Sequence, residues 1–310
     1  MHTENLNWKR ILKICGNILV IISLIFLVRK IMSMDIDYRK VFNTSNIIRL
    51  IPILLLYTAQ ILLSYLPWRI IIQCMTGEKI PHLQTCAVFA KANIMKYIPG
   101  NVFQYVGRAE LAQLNENMNI TIVAASVIVE TAATALAAIV VGVVGASEYT
   151  ISLFKDNAGI FVILIFAFII VLVFAIVFRN KISDLLKRQN IIITSKLLGG
   201  FFLALMFYVL TVTLNGLMLT YIMKMISEKN CFDFAKTICG AFSISWVAGY
   251  ITPGASGGIG VREAVLVLLL GNTMTAGMIT LAALILRFVN IIADLLAYGI
   301  ILIIRRMQKT

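Results

Sequence analysis

The sequence predicts an all-α integral membrane protein, with about six transmembrane helices and two re-entrant helical hairpins in a pseudo-twofold inverted repeat. Three observations lead there. Hydrophobic residues make up 60% of the 310-residue chain and charged residues only 13%, about half the charged share of an ordinary soluble domain. The apolar residues fall in runs long enough to cross a hydrocarbon core of about 30 Å. Two proline-glycine breaks, Pro99-Gly100 and Pro253-Gly254, interrupt this pattern 154 positions apart in similar surroundings.

The first run, near 11–31, follows Lys9, Arg10 and Lys13 and has no small-residue cleavage site after it, which reads as a retained span rather than a removed signal peptide. Runs near 47–74, 119–146, 158–178, 197–225 and 274–304 complete the six. Segments 82–115 and 232–271 lie between them and carry the breaks. The arms of the first segment come to roughly 22 and 20 Å of helix, too short to cross. In the second, the arm 258–271 also falls short, while 234–251 reaches roughly 27 Å and nearly spans. Both segments are read as hairpins that dip into the bilayer and return.

Sliding the first half onto the second by 154 lays Pro99 on Pro253, Gly100 on Gly254 and Arg108 on Arg262. The spans fall into register within a few residues. No apolar-free stretch is long enough to bury its own core, so residues 1–310 read as a single membrane domain without a fused soluble enzyme, half one about 11–146 and half two about 158–305. Three crossings per half make the halves face opposite ways, so the two breaks approach the midplane from opposite leaflets. Interrupted segments in corresponding positions of inverted halves mark the binding site of many transporters.

The net charge of +13 would suggest nucleic acid in a soluble chain, but here the basic residues gather at helix ends, where they set topology and meet anionic lipid. No nucleic-acid partner is expected. The loop with Arg179, Lys181, Lys187, Arg188 and Lys196 marks the inside, which places both termini in the cytoplasm; Arg29, Lys30, Arg39 and Lys40 run against this rule. The two histidines, His2 and His82, and five cysteines without CxxC spacing argue against a metal or catalytic centre. No catalytic residue, metal or cofactor is assigned.

The candidate site is built from both breaks. Pro99 and Gly100 end a helix, Asn101 caps the next, and Lys96, Arg108 and Glu110 supply charge. Pro253, Gly254, Ser256, Gly257 and Gly258 form a glycine-rich turn before Arg262 and Glu263, which open a wholly apolar arm. Charge at membrane depth is costly and faces protein or water. In the last span Arg287, Asn290 and Asp294 recur at intervals of three and four and share one helical face. Glu130, with Thr131 and Thr134, lies near the position equivalent to Arg287, which suggests an ionic contact between Glu130 and Arg287. Thr211, Thr213 and Asn215-Gly216 read as packing glue in the fifth span, and Arg69 as an interface anchor.

At "YIPGNVFQYVGRAEL" and "TPGASGGIGVREAVLVLLL" the chain resembles the lysylphosphatidylglycerol synthase transmembrane-region family over about 11–305. The resemblance implies a stand-alone flippase-like membrane domain, without the aminoacyltransferase domain of the fused members. It implies a multi-pass protein of a bacterial or archaeal plasma membrane that moves a charged-head-group lipid, a phospholipid or a polyprenyl-phosphate-linked lipid, between leaflets. On that reading Arg108 and Arg262 neutralise phosphate, and Glu110 and Glu263 balance them or select a cationic head group. A homodimer or a soluble envelope-biosynthesis enzyme would be the protein partner. The alternative is a non-transporting membrane subunit that docks a soluble lipid- or polysaccharide-modifying enzyme, related to phosphatidylglycerol lysyltransferases in name only.

Overall fold

The computed structural model describes residues 43–97, 103–108, 120–145, 195–227, 230–252, 258 and 260–308, and those residues are helical and connecting segments with no strand among them. The expected spans near 11–31 and 158–178 lie outside the described residues. Among the described residues nine α-helices follow in order: α1 (Thr44–Leu63), α2 (Tyr65–Thr76), α3 (His82–Ile94), α4 (Phe103–Arg108), α5 (Ile120–Val144), α6 (Ser195–Ser227), α7 (Ala235–Ile251), α8 (Val261–Leu270) and α9 (Ala276–Met307).

Local chemistry explains most boundaries. The Asn43 side chain accepts the Asn46 amide at 2.7 Å and starts α1, which serves one of the orphan amides of a first turn. The apolar run 47–74 is divided at Ser64. There the backbone amide turns back to Gln60 and Ile61, and the Ser64 hydroxyl also donates to the Gln60 carbonyl at 2.7 Å. Pro67 explains the interruption: it has no amide hydrogen and its ring crowds the carbonyl one turn earlier, so it sits in the first turn of a new helix. Gly77 ends α2 at φ 73, and its amide donates to Gln73, an ending that a left-handed residue permits.

Among the described residues five segments are long and apolar enough to cross a membrane: Thr44–Thr76, Ile120–Val144, Lys196–Ser227, Cys231–Ile251 and Ala276–Met307. Four of them are the expected spans. The fifth is the first arm of the second expected hairpin, which a 3₁₀ turn at Cys231–Phe234 lengthens to 21 residues, roughly 31 Å of helix. By contrast α3 has 13 residues and α8 has 10, roughly 20 and 15 Å, and neither reaches across. Large apolar side chains such as Leu55, Ile128, Val143, Phe202 and Ile303 are exposed. A soluble surface of this kind would aggregate; here it is the surface of a multi-pass bundle whose solvent is lipid.

The buried apolar residues form two main clusters joined through α6. Trp68, Ile71 and Ile72 of α2 meet Val123 and Ala133 of α5 and Ala204 of α6 in one. Leu219, Ile222 and Met223 of α6 meet Ile238 of α7, Leu270 of α8 and Ile279 of α9 in the other. The packing is crossed between the halves: α5 lies against α7, and α9 lies against α3. Likewise α5 packs on α6 while α9 packs on α1, and α2 packs on α5 while α6 packs on α9. Two approaches need glycine. A Cβ on Gly145 would fall 2.5 Å from the Gly240 Cα, and one on Gly216 would fall 2.6 Å from the Cys239 Cα. These contacts bring α5 and α6 onto α7 at backbone distance, as small residues do in membrane bundles.

Candidate functional site

A cavity of about 210 Å³ opens between the two clusters, lined by residues of α1, α3, α4, α5, α6 and α7. Its charged lining residues are Lys96, Arg108 and Glu130. Arg108 comes from the last turn of α4, and its guanidinium lies 4.9 Å from the Trp68 ring centroid and 4.6 Å from that of Phe89. Its Nη1 pairs with Glu130 Oε2. The other oxygen of Glu130 accepts the Tyr208 hydroxyl at 2.5 Å. Glu130 is buried, and each of its oxygens has a donor. The Trp68 ring beneath is held in turn, since its Nε1 donates to Ser126 Oγ at 3.0 Å.

Lys96, in the 3₁₀ turn that follows α3, reaches the last span. Its Nζ lies 2.7 Å from Asp294 Oδ2, and Asn93 Nδ2 donates to Asp294 Oδ1 at 2.5 Å. Asp294 is buried, so its charge is offset by a partner as burial requires. The i,i+3 spacing of Asn93 and Lys96 puts both on the face of the α3 segment that meets α9.

The second break has its own chamber of about 40 Å³, lined among others by Arg262, Glu263, Arg287 and Asn290. Glu263, in the first turn of α8, accepts the Gly260 amide at 2.7 Å and lies 2.8 Å from Arg287 Nε. A carboxylate there also meets the positive end of the helix. Arg287 Nη2 donates to the Gly258 carbonyl at 3.1 Å, so α9 holds both sides of the turn. Arg262 runs between two glycines. A Cβ on Gly249 would fall 2.6 Å from its Cγ, and one on Gly258, at φ +72, would fall 2.8 Å from its Nε. Its guanidinium stands 5.8 Å from the Trp246 ring, and Trp246 stacks on Tyr250 with centroids 5.2 Å apart. Trp246 and Tyr250 line the larger cavity, and Phe242 lines both. The α7 aromatics therefore stand between the chamber of Arg262 and the cavity of Arg108.

The sequence-predicted residues divide accordingly. Lys96, Arg108 and Glu130 gather at the larger cavity with Asp294 behind Lys96; Gly258, Arg262, Glu263, Arg287 and Asn290 gather at the smaller chamber. Pro99, Gly100, Asn101, Glu110, Pro253, Gly254, Ser256 and Gly257 lie outside the described residues. The expected Glu130–Arg287 contact is not formed. Glu130 is taken by Arg108 and Tyr208, and Arg287 by Glu263 and Gly258, so these two charges do not meet. Arg108 and Arg262 line separate spaces rather than one. Arg69, expected at the interface, donates from Nε to the Ile80 carbonyl at 2.6 Å and ties α2 to the connection before α3.

Several lining residues carried no sequence signal strong enough to single them out. Thr211 and Asn215, read as packing residues, line the cavity, as do Gln60, Ser64, Tyr208, Trp246 and Tyr250. The i,i+4 pairs Gln60/Ser64, Thr211/Asn215 and Trp246/Tyr250 were visible, but amphipathic spacing cannot tell a cavity from a helix contact. Among the described residues no group of three or more His, Cys, Asp or Glu side chains is placed to hold a metal. No family model matches the chain, and neither a curated protein nor a solved structure matches it.

Proposed function

We propose that the chain is a lipid translocator that shelters a polar head group in the larger cavity while the acyl or prenyl tails stay in the bilayer. One observation carries the reading: a polar, charge-bearing cavity within a bundle that is covered in exposed apolar side chains. Buried ionisable groups facing such a space mark substrate paths in membrane proteins. About 210 Å³ lies below the roughly 300–1,000 Å³ of pockets that enclose a drug-sized ligand, which suits a head group and excludes the tails.

The crossed packing supports the inverted-repeat reading. Exchanging each helix for its counterpart 154 positions on turns the α5–α7 contact into the α9–α3 contact, and α2–α5 into α6–α9. The re-entrant arms in this reading are α3 with α4, and α8, all too short to cross. The substrate is a lipid with an anionic or otherwise charged head group, phospholipid or polyprenyl-phosphate-linked, in a bacterial or archaeal plasma membrane, with both termini cytoplasmic. The phosphate reaches Arg108 by displacing Glu130, and the resemblance noted at the two motifs points the same way.

The test is lipid flipping in proteoliposomes with fluorescent phosphatidylglycerol, for the intact chain and for Arg108→Ala. Loss of a charge-assisted hydrogen bond predicts a rate lower by roughly ten- to a hundredfold. Equal rates in a properly folded variant, or no flipping by the intact chain above empty liposomes, reject the proposal.

A further inference from the structure

The charges at the larger cavity form a balanced set. Lys96, Arg108 and Glu130 line it, and Asp294 stands behind Lys96. Lys96 lies 2.7 Å from Asp294, and Arg108 pairs with Glu130, so the four charges sum to zero. A phosphodiester head group adds a negative charge that these four leave unbalanced. Charge at membrane depth is held only with compensation.

The imbalance falls on Glu130. It is 5% exposed, with Arg108 on Oε2 and the Tyr208 hydroxyl donating to Oε1 at 2.5 Å. Once a phosphate takes Arg108, Oε2 loses its cation and Oε1 keeps only a neutral donor. A buried carboxylate so placed neutralises rather than stays charged. Asp294 keeps Lys96 and Asn93 on its two oxygens.

The helices packed on α5 are α2, α4, α6 and α7. Arg108 of α4 and Tyr208 of α6 meet Glu130 directly; Lys196, Tyr221 and Lys224 of α6 are three or more turns from Tyr208. On α2, neutral Trp68 lies under Arg108, while Tyr65, Arg69 and Cys74 turn to His82, Ile80 and Gly200. On α7, Tyr250 lines the cavity, while Cys239 and Lys236 lie along the Val141 and Gly145 end of α5. Tyr57 of α1 and Lys96 complete the titratable lining.

We propose that the larger cavity takes up an anionic lipid head group together with one proton, which binds Glu130 Oε2 as Arg108 passes to the phosphate. An O–H bond forms on the carboxylate, the proton comes from solvent, and the phosphodiester stays a monoanion with no bond of the lipid broken. Lipid and proton then cross as a neutral pair, driven by a pH difference and indifferent to voltage. This rests on the head-group reading above and adds a co-substrate to it.

The experiment measures binding of dihexanoyl phosphatidylglycerol to the purified full chain in nonionic detergent, by calorimetry in buffers of different ionisation enthalpy. The intact chain is expected to take up about one proton per lipid, and its affinity to fall about tenfold per unit as pH rises from about 6 to about 8. Uptake near zero, or an affinity flat with pH, overturns the proposal, and neither reading needs a variant to fold. Infrared difference spectra on lipid binding locate the proton. A new carboxylic-acid band should shift with isotope-labelled glutamate; a band that shifts with labelled aspartate instead overturns the assignment. Glu130→Gln should bind without proton uptake and more tightly than the intact chain at about pH 8, because Arg108 is no longer held by a carboxylate. Uptake that persists in this variant, as it would if it came from His82, also overturns the assignment. Flipping in proteoliposomes, above empty liposomes, separates the two claims. An imposed pH difference should shift phosphatidylglycerol toward the alkaline side by about tenfold per unit, and a potassium diffusion potential should not. Flipping that ignores pH sinks this inference alone, proton-linked binding without flipping sinks the translocator reading, and no binding at all sinks both.

Discussion

Glu263 and Arg287 are 24 positions apart and meet at 2.8 Å, with the carboxylate almost wholly buried and the guanidinium also holding the Gly258 carbonyl. The pair joins the first turn of α8 to α9, and the Arg287 bond to Gly258 ties α9 to the residues just before α8 as well. Removing one partner strands the other. Arg287→Met should lower stability by about 3 kcal/mol, whereas Arg287→Met with Glu263→Leu should cost less than that single change. Thermal unfolding in detergent for both variants checks the order; a double variant less stable than the single contradicts it.

Asp294 of α9 offers a second cycle, with Lys96 beside α3. Lys96→Met removes the cation from a buried carboxylate that also accepts from the neutral Asn93 amide, and the expected loss is about 3 kcal/mol. Asp294→Asn removes the charge and keeps the shape, so the pair Lys96→Met with Asp294→Asn should recover a large part of it. Additive losses in the double variant would show that the two side chains do not act as a unit.

The corridor of Arg262 predicts unequal responses to the same substitution at different glycines. Gly258→Ala puts a side chain on a residue at φ +72 and into the guanidinium, and should destabilise by about 1–2 kcal/mol or more. Gly249→Ala should move Arg262 away from Trp246 and change the tryptophan emission. Gly199, whose added Cβ would meet nothing within 4 Å, is the control; Gly199→Ala should be neutral or stabilise by up to about 1 kcal/mol. Unchanged emission in Gly249→Ala would count against the contact.

At the crossing of α5 and α7, Gly240→Ala would drive a methyl into Gly145, 2.6 Å from its carbonyl carbon. Backbone has little room to yield, and overpacking of this kind costs about 1–3 kcal/mol. Because α5 carries Glu130 and α7 carries Trp246, a separation of these helices should also disturb the larger cavity and, on the proposed function, lower lipid binding. A variant with wild-type melting and binding would place the crossing farther apart than the structure has it.

Much of the site was legible because charge is rare in an apolar chain. Lys96, Arg108, Glu130, Arg262, Glu263, Arg287 and Asp294 stood out on residue type alone, and each ends in or beside a polar space. Their partners were not legible. The repeat pointed to Glu130 with Arg287, yet Tyr208, an ordinary-looking tyrosine of α6, takes one oxygen of Glu130, and Arg108 takes the other. Neutral residues were harder still. Thr211 looks the same from its sequence whether its hydroxyl caps a carbonyl inside a contact or at the edge of a cavity, and the difference is set by α7 lying across from it.

Composition and hydrophobic run length were enough to establish the membrane class, four of the crossings and the shortness of α3 and α8, since these follow from local chain chemistry and the thickness of a bilayer. Which charge meets which, that Arg108 and Arg262 occupy separate spaces, and that the 231–251 arm is long enough to cross came from the packed arrangement. Ion pairs and cavities depend on distances between residues remote in the chain, and those distances are set by helix packing, here by glycine contacts such as Gly145 on Gly240.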